Sequence, residues 1–144
     1  MFPLGTTAVT FRFQDVSGII GSAPASVTVI LGRPAISGTV IAKGPYAPGV
    51  LWLDLRLTNT GSGHGRNLSI DRIVPRTISG TGQVTLAAPP PWPIETLDIG
   101  ASTVVRLYLE VPPTVTRFSL TETGAIQNLA ATSYSFSLAQ AVIP

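Results

Sequence analysis

The chain contains no cysteine. Disulfide staples, thiol nucleophiles and cysteine-ligated metals are therefore excluded together. Charge is also scarce: Asp, Glu, Lys and Arg make up 11% of the residues, against roughly 25% in an average soluble domain. The net charge of +2 is too small for an electrostatic nucleic-acid footprint, and the arginines stand singly rather than in a cluster. No nucleic-acid partner is expected. No apolar run approaches the ~20 residues that span a bilayer, so no membrane span is expected either. Met1-Phe2-Pro3-Leu4-Gly5 has neither the charged n-region nor the apolar h-region of a signal peptide, so an exported chain would have lost a leader or an upstream region.

Histidine is nearly absent as well. His64 is the single one, so any Ser-His-Asp relay would have to pass through it. It stands between Gly63 and Gly65, in a turn that would hold a general base poorly, and no serine lies in a G-x-S-x-G elbow. One histidine and seven acidic residues spread along the chain offer neither a zinc spacing nor an EF-hand loop. Asp15, Asp71 and Asp98 are the carboxylates that a calcium site built on loop carbonyls would draw on. No metal, cofactor or catalytic residue is expected, and the chain reads as a non-enzyme.

What the chain does have is punctuation. Fourteen glycines and thirteen prolines interrupt it every few residues, leaving no window for a helix. Threonine and serine supply much of the polar surface, which suits strands. The clearest strand is Val50 to Thr58, with Leu51, Leu53, Leu55 and Leu57 on one side of a period-two pattern and Trp52, Asp54, Arg56 and Thr58 on the other. Val104 to Val111 repeats the pattern, with Val105, Leu107, Leu109 and Val111 opposite Arg106, Tyr108 and Glu110.

Further strands are read at Val9–Phe13, Ser26–Leu31, Ile36–Ala42 (with a bulge at Gly38), Asn67–Val74 (ended by Pro75), Gln83–Leu86, Ile94–Ile99 and Thr116–Thr123. The last is marked by Tyr134, Phe136 and Leu138, after a loop over Gly124–Ala131. Pro89–Pro93 reads as an extended, polyproline-like crossing. This spacing predicts an all-β fold, an antiparallel β-sandwich of about seven to nine strands with Greek-key connections. Gly32-Arg33-Pro34 breaks the pattern, which divides the chain into an N-terminal strand pair over residues 1–32 and a sandwich domain over 33–144. The pair reads equally as the sandwich's first strands, as an arm completing another molecule, or as the end of a preceding repeat.

Leu57-Thr58-Asn59-Thr60-Gly61, the glycine turn, and Asn67-Leu68-Ser69-Ile70 together resemble the central hairpin of bacterial cell-adhesion-related (CARDB-like) and conserved-repeat Ig-like domains. Leu97-Asp98-Ile99-Gly100-Ala101-Ser102-Thr103-Val104-Val105 resembles the segment leading into a later strand of those domains. The likeness spans about Ile36 to Ile143, and the proline crossing departs from it. It implies an Ig-like sandwich, extracellular or at the cell surface, often one of several in a row, without enzymatic activity and with no ligand residues to carry over.

The remaining candidates are surfaces. Asp54, Asp71, Glu95, Asp98, Glu110 and Glu122 contain any carboxylate pair for glycoside chemistry, but pairing of Asp54 and Glu110 with Arg56 and Arg106 across neighbouring strands is the simpler expectation. Trp52, Arg56, Trp92 and Tyr108, with Tyr46, form a candidate protein interface or a platform for a sugar ring. Val9, Phe11 and Phe13 form a candidate donated strand. The expected partners are another copy of the chain or neighbouring Ig-like domains, with a polysaccharide as the alternative. Asn67-Leu68-Ser69 matches a glycosylation sequon.

Overall fold

A computed structural model of the protein describes residues 3–89 and 94–144. The chain divides into two units, Met1–Leu31 and Gly32–Pro144. In the first, β1 (Gly5–Gln14) and β2 (Ile20–Val29) pair antiparallel as a two-stranded sheet of their own. Both strands run longer than their apolar cores suggest, because the ladder needs only backbone groups. Their turn is held by Asp15, whose Oδ1 accepts from the amides of Ser17 at 2.8 Å and Ile19 at 2.9 Å.

In the second unit, β3 (Ile36–Ala47), β4 (Val50–Asn59), β8 (Ser102–Glu110) and β6 (Thr85–Leu86) form one antiparallel sheet in that order. The second sheet runs β10 (Ser133–Val142), β9 (Arg117–Gln127), β5 (Gly65–Ser79), β7 (Ile94–Leu97). The fold is all-β, an Ig-like sandwich. The central neighbours β4 and β8 lie in one sheet and β5 and β9 in the other, and the chain crosses from β4 to β5 and from β8 to β9, as Greek-key connections do. Counting the hairpin, the described residues hold ten strands, eight of them in the sandwich. No helix there is long and apolar enough to cross a membrane.

The leucine alternation sets the core. Leu53, Leu55 and Leu57 of β4 and Leu109 of β8 are fully buried. They face Leu68, Phe118 and Leu120 from the other sheet, also fully buried. Each leucine contributes roughly 2 kcal/mol of burial, and their register follows from Leu53 opposite Leu107 and Leu55 opposite Val105.

Several expected boundaries move, each for a local reason. Pro75 does not end β5, which continues to Ser79. Among the described residues the strand pairs beyond Leu68 only with β9, so the missing proline N–H falls on a side of the ladder with no described partner. Gly124 does not begin a loop but lies inside β9. A side chain there would collide with the Ser69 carbonyl and the Phe136 ring, so glycine is what lets the strands approach. The bulge in β3 falls between Val40 and Ala42 rather than at Gly38. Gly38 instead leaves room for Leu138, and its carbonyl accepts from Gln140 Nε2 at 2.9 Å. β3 then continues to Ala47, where Pro48 and Gly49 (φ +75°) turn the chain into β4. The crossing expected at Pro89–Pro93 lies, apart from Pro89, outside the described residues.

One polar residue is built into this apolar frame. Asn59 is fully buried at the end of β4. Its Nδ2 donates to the carbonyls of Gly63 at 2.8 Å and Leu97 at 2.9 Å, and its Oδ1 accepts from the amides of Gly61 at 3.0 Å and Ala35 at 3.2 Å. Its backbone bonds Ala101 and Gly100 as well. Asn59→Ala should therefore lower the unfolding free energy by about 4 kcal/mol, roughly 1 per lost bond, in denaturant titration. A loss below about 1 kcal/mol would mean that water replaces the amide.

Candidate functional site

The outward rows of β4 and β8 bring most of the proposed platform together. Trp52 stands directly opposite Tyr108, and Asp54 opposite Arg106. Arg106 donates to both Asp54 oxygens, Nε to Oδ1 at 2.7 Å and Nη2 to Oδ2 at 2.8 Å. These bonds hold the Asp54 carboxyl below the usual carboxylate range and keep the guanidinium firmly charged. The same guanidinium lies 4.4 Å over the Trp52 ring, a cation–π contact. On the β3 side Trp52 packs over Gly44, where a Cβ would crowd the indole. Tyr108 meets Tyr46 with ring centroids 4.7 Å apart and planes tilted by 59°. The indole is thus sandwiched within its own sheet, and Tyr46, 66% exposed, is the most open ring of the cluster.

One expectation for this face needs correction. Only Asp54 and Arg106 pair; Arg56 is exposed and stands opposite Val104, while Glu110 stands opposite Val50 and accepts from the Thr85 hydroxyl at 3.0 Å. Arg56 and Glu110 lie on neighbouring strands but six rungs apart along the ladder, Glu110 at the level of Val50, so they do not meet. Trp92, the fourth platform residue, lies outside the described residues.

The hairpin carries the other candidate surface. Val9, Phe11 and Phe13 share one face of β1 and stand opposite Ala25, Ala23 and Gly21 of β2. Phe13 lies across Gly21, where any side chain would strike its ring. Phe11 is 62% and Phe13 60% exposed. The row is aromatic and apolar, its cross-strand partners are too small to cover it, and it is open at Phe11 and Phe13 while Val9 is half-buried.

The ionisable candidates each find a local role. His64 Nδ1 and Asp98 Oδ1 are 2.9 Å apart, with both side chains well exposed. Asp71 accepts from the Ser69 hydroxyl at 2.8 Å, and Asp15 caps its turn. Among the described residues no group of three or more His, Cys, Asp or Glu gathers as a metal site would. The Glu95 side chain lies outside the described residues. Asn67 of the sequon sits at a bulge of β5 with φ +50°, and its Nδ2 donates to Gln127 Oε1 at 2.9 Å. At the sandwich end near the Pro48–Gly49 turn, an open apolar cleft of about 310 Å³ is lined by Pro45, Val50, Val111, Pro112, Val115 and Pro144. No polar groups converge there to orient a ligand.

Compared with known proteins, the chain matches no family model, no curated protein and no solved structure.

Two residues matter in ways the sequence reading did not anticipate, Glu122 having entered it only as a member of a possible carboxylate pair. Asn59 is the first. The second, Glu122, belongs to the inward row Phe118, Leu120, Glu122, Gly124, Ile126 of β9 and is fully buried. The signal was available, a charge interrupting an apolar alternation. Neither carboxylate oxygen has a hydrogen-bond partner among the described residues, and burial pushes its pKa up from 4.5 to about 7. This placement removes Glu122 from any glycoside pair, because no substrate reaches it.

The folded state favours the neutral acid. The Glu122 contribution to stability is therefore greatest below about pH 4.5, falls as pH rises toward about 7, and is flat above that. Glu122→Gln should be more stable than the native chain at pH 8, by on the order of 3 kcal/mol, with the difference vanishing near pH 4. Denaturant titrations across that range test it, and a pH-independent difference would show that the ionised carboxylate finds a partner.

Proposed function

We propose that this chain is a non-catalytic, extracellular Ig-like module with a structural or adhesive role, a subunit of a cell-surface assembly joined by β-strand addition. The observation that carries the reading is the hairpin β1–β2, a sheet of two strands with Phe11 and Phe13 open on one face. Two strands alone are marginally stable in water, and a contiguous apolar row on a surface marks an interaction site. A third strand supplied by a partner satisfies the backbone edge and covers the ring faces in one step. The resemblance of the sandwich to CARDB-like and conserved-repeat domains supports the surface setting.

The carbohydrate reading has weaker support. Sugar stacking needs an open ring face, and the Trp52 face is taken by Arg106, itself anchored by two bonds to Asp54. Among the described residues of that cluster, only Tyr46 offers a broad free surface.

The assembly reading is tested on the full chain. The native protein should self-associate with rising concentration in analytical ultracentrifugation and show ordered oligomers by electron microscopy. Phe11→Ser with Phe13→Ser should weaken association at least tenfold while the far-ultraviolet β signal persists. A native chain that stays monomeric at millimolar concentration would sink the reading.

A further inference from the structure

Resting on the assembly reading, we infer that the strand that receives the hairpin is β10 of a second copy of this chain, which pairs edge to edge with β1. The choice follows from which strand edges are open. Among the described residues of the two units, apart from the hairpin's β1, five strands stand at sheet margins: β2, β3, β6, β7 and β10. β5 and β8 are open over part of one side, but there β5 carries Asp71, Arg72, Pro75 and Arg76 with register shifts, and β8 carries Arg106 bound to Asp54. β2 carries Pro24 in mid-strand, opposite Thr10, which removes a donor from its edge. β3 is broken by two register shifts and carries Lys43 and Pro45, the devices that blunt an edge. β6 has two residues and β7 four, too short to template a ladder.

β10 has none of these guards. Ser133 to Val142 contains no charge, no proline and no glycine, and pairs with β9 over ten residues without a register shift. β1 is its match: also ten residues, without proline, and with Arg12 as its one charge. The side-chain rows correspond too. Tyr134, Phe136, Leu138 and Val142 point inward from β10, and the first three are only partly buried at the sandwich margin. A β1 strand in register would set Val9, Phe11 and Phe13 beside them and extend the apolar layer. Its Thr6, Thr10 and Arg12 would line up with the outward Ser133, Ser135 and Ser137 row.

Chain length and strand direction favour a second copy. Every ladder among the described residues is antiparallel. Within one chain, the Arg33 guanidinium lies 5.0 Å over the ring of Tyr134, at the start of β10. Only residues 30–32 separate Arg33 from the end of β2, a reach of about 13 Å, whereas a ten-residue strand is about 33 Å long. So short a tether favours a parallel approach of a chain's own β1 to β10. The β1 of another copy is free to enter antiparallel. Each copy then offers one donor and one acceptor, a head-to-tail contact that propagates or closes in a ring.

The absence of native cysteine makes the contact directly testable. Full-length Thr10→Cys is mixed under mild oxidation with Ser135→Cys, Ser137→Cys or Ala139→Cys, which covers a two-residue slip, and with Thr39→Cys on the β3 edge as control. At least one β10 mixture should give a heterodisulfide in at least tenfold higher yield than the control, because cross-strand Cα spacing suits the bond. Separately, Ser135→Lys with Ser137→Lys should weaken self-association at least tenfold, and Thr39→Lys should leave it unchanged. If Phe11 and Phe13 are needed for assembly but neither β10 result appears, the acceptor assignment is overturned and the assembly reading stands. A monomeric native chain overturns both. A Thr10→Cys, Ser137→Cys double variant that closes its disulfide within one chain at high dilution overturns the second copy.

Discussion

The buried amide of Asn59 is the constraint on which the sandwich depends. It sits where β4 leaves the core, and its four side-chain bonds reach the segment before β3, the turn before β5 and the end of β7. Those groups belong to both sheets. Buried leucines supply most of the favourable free energy, but burial is non-directional and tolerates slippage. Hydrogen bonds to fixed backbone groups are directional, and an unpaired buried carbonyl or amide is costly. Asn59 thus sets how the two leucine-lined layers are placed, and glycines at 61 and 63 leave the close space it needs: side chains there would strike the Arg33 and Gly32 backbone.

Edge management follows from the same frame. A sandwich, unlike a barrel, leaves four edges, and this one spends its irregularities unevenly. Bulges, Pro45 and Lys43 fall on β3, and the opposite margins are short strands. β10 stays regular and uncharged. Beside that, Glu122 places an uncompensated carboxyl in the inward row of the neighbouring strand β9, offsetting about one to two leucines' worth of burial when ionised. Stability and surface chemistry at this side of the molecule are both set by what is left unpaired.

Much of the architecture was legible along the chain. Alternation in Val50–Thr58 and Val104–Val111 located the two central strands and the face each buries, because a period of two is a direct image of the pleat. The platform residues were half legible: Trp52 and Tyr108 do share a face. Their closure by Arg106 and Gly44 was not, since cross-strand partners come from distant positions. Pro75 and Gly124 were misread as stops for a related reason. Proline ends a strand only where a neighbour needs its N–H, and glycine breaks one only where no neighbour fills the missing Cβ volume.

The sequence by itself determined the all-β class, the leucine core and the exclusion of thiol chemistry, because each rests on local composition or on a two-residue period. Tertiary structure alone decided which charges pair, that Glu122 is buried without a partner, that Asn59 joins both sheets, and which strand edges lie open. Those depend on ladder register between segments tens of residues apart, and register is fixed by packing, which no local pattern encodes.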